Sequence, residues 1–240
     1  MGTILFGLGQ SPWTERARWA LEHHGIVYEY REHTPMLGEL SLRRKARAKK
    51  ASVPLLVDGE VVVMGSTAIA KHVEQGGRGT PLFPREHEAE VSRWVEVAER
   101  MSELGRAWLM RRLLESRRAQ SEALPSFVPG ALRGALAPTA GLAVRFLVSK
   151  YAVPVGAAVE EAMRPLLLDV RAVLEGRDYV LGASGFSFAD LALAATMEAL
   201  RPHADSKLGP ATRDARTNEA LAREFADLIE WRDAIFAKHR

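Results

Sequence analysis

Gly7-Leu8-Gly9-Gln10-Ser11-Pro12-Trp13-Thr14 turns a strand into a helix. Upstream, Thr3-Ile4-Leu5-Phe6-Gly7 reads as a short buried strand, and Gly7 to Gln10 as the turn that follows it. Ser11 is a preferred N-cap, and Pro12 a preferred first helical residue, where the missing N–H costs nothing. Trp13, Ala17, Ala20, Leu21 and His24 then keep a helical period as far as Gly25, a residue suited to the position just past a helix end. The same stretch also resembles a dinucleotide fingerprint, G-x-G-x-x-G, with Glu29 or Glu32 about 20 residues on as the ribose acid. Pro12 stands where the third glycine belongs, and that glycine exists to let helix and strand pack closely.

Further along, Val27 to Glu32 alternates as a strand does, and the basic run Leu42 to Lys50 fits a polar helix. Pro54-Leu55-Leu56-Val57 and Glu60-Val61-Val62-Val63 are two β-rich runs joined at Asp58-Gly59, a hairpin signal. A hairpin there requires antiparallel strands, unlike the repeated parallel crossovers of a dinucleotide-binding half. Gly65-Ser66-Thr67 opens another helix with Ile69, Ala70 and Val73 on its buried side. Gly76-Gly77-Arg78-Gly79-Thr80-Pro81 is a linker by composition. Beyond it, Glu86 to Gln120, Val155 to Leu174, Ala189 to Leu200 and Asn218 to His239 carry helical apolar spacing. The expected architecture is therefore α/β plus all-α, with a small domain at 1–77 and a helical one at 85–240.

Composition narrows the chemistry. The chain has 240 residues, 33 Lys and Arg against 30 Asp and Glu, no cysteine and 47% hydrophobic residues, which excludes disorder and disulfide scaffolds. Without cysteine there is no thiolate metal site and no cysteine nucleophile, so any thiol must come from outside. His87-Glu88 begins like a zinc-protease helix, but Val91 occupies the second histidine position. His23 and His24 are adjacent and point about 100° apart on a helix, so no metal is expected. Residues 1–80 hold 11 basic and 8 acidic side chains while the remainder is balanced, so the net charge of +3 arises in the first third. Its source is the run Arg43, Arg44, Lys45, Arg47, Lys49 and Lys50, which lacks interleaved aromatics and suits a solvated helix face, so no nucleic-acid partner is expected. No signal-peptide pattern opens the chain, and the uncharged run Gly134 to Val144 is shorter than the roughly 20 residues a bilayer requires. A cytoplasmic protein without membrane contact is expected. The segment Leu132 to Val153, within a stretch marked by Pro125 and Pro129, reads as an extra packed helix. An amphipathic lid or lipid-touching surface is its alternative.

With these elements in place, Ser11-Pro12-Trp13-Thr14 resembles the thioredoxin-type C-P-Y-C element, with hydroxyls replacing thiols. Val53-Pro54 resembles the cis-proline position of that fold, and Gly65-Ser66-Thr67-Ala68-Ile69 resembles the E-S-x-A-I start of its third helix. Together with Phe186-Ser187-Phe188-Ala189-Asp190 in the helical half, they resemble the glutathione transferase superfamily.

The resemblance implies glutathione as co-substrate and a small apolar electrophile as its partner, in a homodimer. A free thiol has a pKa of roughly 8.5 and is a poor nucleophile until ionised. Sulfur at the start of the helix opened by Pro12 would meet the positive end of its dipole, and the Ser11 hydroxyl would donate to the thiolate, favouring the charged form. Thr14 is the alternative hydroxyl. Val53, before Pro54, would pair its backbone with the cysteinyl part of glutathione, as an added strand does. Ser66 would bind the γ-glutamyl carboxylate at a helix N-terminus. Lys45, Lys49 and Lys50 are candidates for the glycine carboxylate. Gly65 departs from the family, standing where Glu or Gln usually meets the γ-glutamyl ammonium. Other functions compatible with the same residues are a binding or interaction protein that keeps the fold without catalysis, and a glutathione-dependent isomerase or lyase. Ser187 with Asp190 reads as a capping box, and Phe186 with Leu191 as its hydrophobic staple, a folding signal without catalysis.

Overall fold

The computed structural model describes residues 2–124 and 128–240, so Pro125 lies outside the described residues. Strand β1 (Thr3–Gly7), helix α1 (Pro12–His23), β2 (Tyr28–Glu32), α2 (Glu39–Ala46), β3 (Leu55–Asp58), β4 (Val61–Met64) and α3 (Ser66–Glu74) follow in the expected order. The sheet order is β2-β1-β3-β4. β1 runs parallel to β2 with Thr3 beside Tyr28, antiparallel to β3 with Phe6 beside Leu55, and β3 runs antiparallel to β4 with Leu55 beside Met64. One crossover through α1 and one hairpin thus make a thioredoxin-like sheet rather than a dinucleotide half.

Local chemistry explains most of the boundaries. Gly25 at φ +65° donates its N–H to the Glu22 carbonyl while Ile26 N–H reaches the Leu21 carbonyl, closing α1 in a Schellman motif. Two of the expected elements are corrected. The hairpin loop is Gly59-Glu60 instead of Asp58-Gly59, since Asp58 still pairs with Val61 and Gly59 takes the positive φ. Helix α2 begins at Glu39 and stops at Ala46, well before Lys50. Arg47 adopts a left-handed conformation at φ +52°, and Ala48 N–H folds back to the Arg43 carbonyl, so the last cations leave the helix. Leu5, Leu55, Leu56, Ala17, Ala20, Leu21, Ile69 and Ala70 are fully buried and form the centre of this part.

Past α3, the regular elements among the described residues are helices: α4 (Glu88–Glu115), α5 (Arg117–Glu122), α6 (Gly130–Lys150), α7 (Val159–Val173), α8 (Phe188–Thr196), α9 (Pro210–Arg216), α10 (Glu219–Glu224) and α11 (Ala226–His239), with short 3-10 turns. The continuous helix expected from Glu86 to Gln120 breaks at Ser116, whose hydroxyl accepts the Ala119 N–H at 3.2 Å and starts α5. The one expected from Asn218 to His239 breaks at Phe225, which is buried. Asp190 is fully buried and accepts from Ser187 N–H, Ser187 Oγ and Val180 N–H at 2.9, 2.8 and 2.7 Å, which fits the folding role of that motif. Of segment 132–153, residues 132–150 fall in α6, whose Ala137, Ala140, Gly141 and Val144 face inward. By length and composition alone this helix is long and apolar enough to cross a membrane, since Arg133 and Arg145 at the edges of the uncharged run lie within it.

By packing, the chain forms two compact units. One comprises Met1–Ala98, Val173–Ala195 and Ala234–Arg240, the other Glu99–Ala172 and Thr196–Asp233. In the first, the chain's C-terminal residues join the sheet region: Trp19 Nε1 donates to the His239 carbonyl at 2.7 Å, and the His239 ring stacks on Phe186 at 4.0 Å. In the second, Ala107, Met110, Leu113, Ala119, Val144 and Val159 share a core.

Candidate functional site

Strand register gathers the candidate residues at one end of the sheet. β1 ends at Gly7, and the loop after it delivers Ser11 to the start of α1. Because Phe6 lies opposite Leu55, the preceding Val53-Pro54 pair is level with Gly7 and Leu8. Because Leu55 lies opposite Met64, Gly65 is level with Pro54, and its N–H donates to the Pro54 carbonyl at 3.0 Å. Ser11, Val53, Pro54, Gly65 and Ser66 thus share one rim of a single compact unit.

The Ser11 side chain makes no capping hydrogen bond, although its backbone has the extended N-cap conformation at φ −89° and ψ 130°. Its carbonyl accepts the Glu15 N–H at 2.9 Å, the first intrahelical bond of α1. The hydroxyl is therefore not spent on the helix. Thr14, in contrast, is fully buried, and its Oγ1 accepts the Leu8 N–H at 3.1 Å. Thr14 holds the loop in place and is poorly disposed to serve a ligand.

Both glycines of the loop have local reasons. A Cβ on Gly7 would fall 2.4 Å from Thr14 Cγ2, and one on Gly9 would meet a Glu32 carboxylate oxygen at 3.2 Å. Gly9 N–H donates to that carboxylate at 3.1 and 3.2 Å, and the Tyr30 hydroxyl donates to it at 2.5 Å. Burial and the Glu32 carboxylate push the Tyr30 hydroxyl well above its ordinary pKa, keeping its proton in that bond. Glu32 therefore anchors the loop that presents Ser11, a role that the sequence did not reveal because nothing in its spacing links it to Gly9.

Val53–Pro54 is cis, at the position expected from the resemblance. The backbone N–H and carbonyl of Val53 are left unpaired among the described residues. Gly65 sits at φ +94° and ψ 140°, a region essentially restricted to glycine, and nothing lies within 4 Å of where its Cβ would be. In this chain the turn from β4 into α3 takes a shape that a side chain would strain. Ile69 N–H bonds to the Gly65 carbonyl at 3.0 Å, so the N–H groups of Ser66, Thr67 and Ala68 have no acceptor within α3. Such a helix start suits a carboxylate. Of the candidate lysines, Lys45 Nζ lies 5.4 Å from the Phe6 ring centroid and donates to Ser41 Oγ at 3.2 Å, while Lys49 and Lys50 are exposed beyond α2.

Comparison with known proteins agrees with this geometry. Residues 5–81 match the family described as glutathione S-transferase, N-terminal domain. Glutathione S-transferase U1 of Arabidopsis thaliana is 31% identical over 87 residues, covering 34% of this chain and 36% of its own length. The chain thus matches about a third of that relative. A glutathione S-transferase of Ceriporiopsis subvermispora, solved in complex with glutathione, superposes with a TM-score of 0.65 at 16% identity, covering 100% of this chain and 98% of its own. Beta-etherase LigF of a Sphingobium strain superposes with a TM-score of 0.62 at 18% identity over 99% and 96% of the two chains. Residues 5–81 thus match the glutathione S-transferase N-terminal domain in sequence, and the chain as a whole shares the fold of the solved glutathione transferases.

Proposed function

We propose that the protein is a glutathione-dependent transferase, in which Ser11 stabilises the glutathione thiolate for attack on a small apolar electrophile. The carrying observation is the Ser11 hydroxyl, which stands at a helix start without capping it, on the same rim as Val53, Gly65 and Ser66. In this reading the Val53 backbone pairs with the cysteinyl part, and the Ser66 end of α3 takes the γ-glutamyl carboxylate. Ser11 donates a hydrogen bond to sulfur, and the proton lost by the thiol leaves to solvent. Residues 1–77 form the glutathione-binding domain and 85–240 the helical domain. A homodimer and a cytoplasmic setting, where glutathione is kept reduced, complete the reading, supported by the resemblance.

Gly65 favours a second reading, a binding protein that keeps the fold without catalysis, because the usual ammonium contact is absent. Calorimetric titration with glutathione, comparing the wild type with Ser66→Ala, separates the two. Binding by the wild type that weakens in the variant is expected. Absence of binding at millimolar glutathione would overturn the enzyme reading. Given binding, turnover of a generic aryl halide distinguishes transfer from a glutathione-dependent isomerase or lyase.

A further inference from the structure

The cationic run of α2 belongs to a surface that also carries exposed apolar side chains. Leu40, Arg43 and Arg44 follow helical spacing and share one face, Arg47 is exposed just past the helix end, and Leu42, 2% exposed, points into the core. The loop entering the helix adds Met36 and Leu37, which with Leu40 are 45%, 81% and 61% exposed. Lys49 and Lys50 extend the cationic end and are exposed. None of Arg43, Arg44, Arg47, Lys49 and Lys50 forms an ion pair among the described residues. The acid of this segment, Glu39, is buried and held by His33 Nε2 at 3.2 Å. The outward face is therefore apolar at one end and purely cationic at the other.

We propose that this face docks on an anionic lipid surface, in departure from the expectation that the protein has no membrane contact. Clustered cations are drawn to acidic headgroups, and neighbouring leucines can enter the boundary between headgroups and acyl chains. A nucleic-acid backbone would satisfy the cations and leave Leu37 and Leu40 in water. A protein partner would need roughly 20–30 residues on each side for a stable interface, more than the loop and two helical turns present. A fluid bilayer needs no such complementary shape. The proposal does not rest on the glutathione reading, because Arg43, Arg44 and Arg47 have no part in that site.

The test is sedimentation of the full chain with vesicles of phosphatidylcholine alone or mixed with phosphatidylserine, over a salt series. Binding confined to the mixed vesicles and weakened by salt is expected. At about fivefold per cation, the triple variant Arg43→Gln, Arg44→Gln, Arg47→Gln should bind on the order of 100-fold more weakly. Leu37→Asn with Leu40→Asn should remove the part of binding that survives high salt. Glutathione titration of the triple variant should match the wild type. Equal binding to both vesicle types overturns the proposal, as does unchanged binding by the triple variant, which would move any lipid contact to another surface. Preferential binding of a DNA duplex over the mixed vesicles overturns it as well. The salt series on the wild type decides the electrostatic claim even if a variant folds poorly.

Discussion

Replacing Ser11 with alanine separates its two possible roles, because the structure assigns them different magnitudes. A serine that caps a helix contributes about 1 kcal/mol, which in a protein of this size shifts Tm by roughly 2–4 °C. The Ser11 hydroxyl makes no capping bond, so its removal should cost less than about 0.5 kcal/mol and move Tm by under about 2 °C. Its proposed bond to a thiolate is a bond to a charged group, worth about 1.5–3 kcal/mol. Its loss should raise the pKa of bound glutathione by about one to two units and slow conjugation by roughly 10- to 150-fold. Thr14 should not rescue the variant, since its side chain is fully buried. Ultraviolet titration of the bound thiolate, aryl halide turnover and thermal melts of both proteins give the three readings. Equal turnover would remove Ser11 from catalysis, and a Tm loss of several degrees would show that it caps the helix after all.

At Gly65, alanine should destabilise by about 1–3 kcal/mol, or roughly 2–12 °C in Tm, purely through the backbone, since nothing lies within 4 Å of its Cβ. An unchanged Tm would contradict the φ of +94°. Burial holds His24 below its ordinary pKa, helped by His23; burial, with Lys238 and His23, does the same for His239. Both are then neutral when folded and bind protons more readily when unfolded. Their contribution to stability is complete above about pH 6.5 and is lost as pH falls through their lowered values. Thermal melts should show Tm falling on that acid side, with a flatter profile in His24→Asn combined with His239→Gln; identical profiles would refute the assignment.

The sheet domain was legible because its signals are local. Ser11-Pro12, Gly25, the hairpin and Gly65-Ser66 each fix a boundary within a few residues, and their order suffices for the topology. The failures are where tertiary demands override local preference. Alanine, arginine and lysine favour continuing α2 to Lys50, yet Arg47 turns left-handed and the chain leaves the helix before Val53-Pro54. Apolar spacing runs unbroken through Ser116 and Phe225, so the breaks there come from a cap and a buried aromatic side chain that periodicity does not weigh. Sequence spacing points to Glu32 only as a possible ribose acid, because its bond to Gly9 crosses 23 positions in the chain.

The candidate site was legible as a set of positions, and less so as chemistry, for a related reason. Most of what this rim offers is backbone: the Val53 N–H and carbonyl, the free N–H groups at the start of α3, and the dipole of α1. Any sequence that makes this fold supplies them, so three short motifs, at Ser11, Val53-Pro54 and Gly65-Ser66, are enough to mark the candidate rim. Side chains decide how well it works, and here two positions matter. Ser11 offers a hydroxyl that the helix does not use, which favours catalysis. Gly65 withholds a charge-assisted contact worth about 1.5–3 kcal/mol, which would leave glutathione held roughly 10- to 150-fold more weakly than with Glu or Gln there. The two do not conflict: a contact made equally in the ground and transition states tightens binding without raising the rate of the chemical step, whereas a bond to the thiolate acts on the reacting atom. Weak binding and an intact nucleophile can therefore coexist, and affinity alone is a poor measure of whether Ser11 is catalytic.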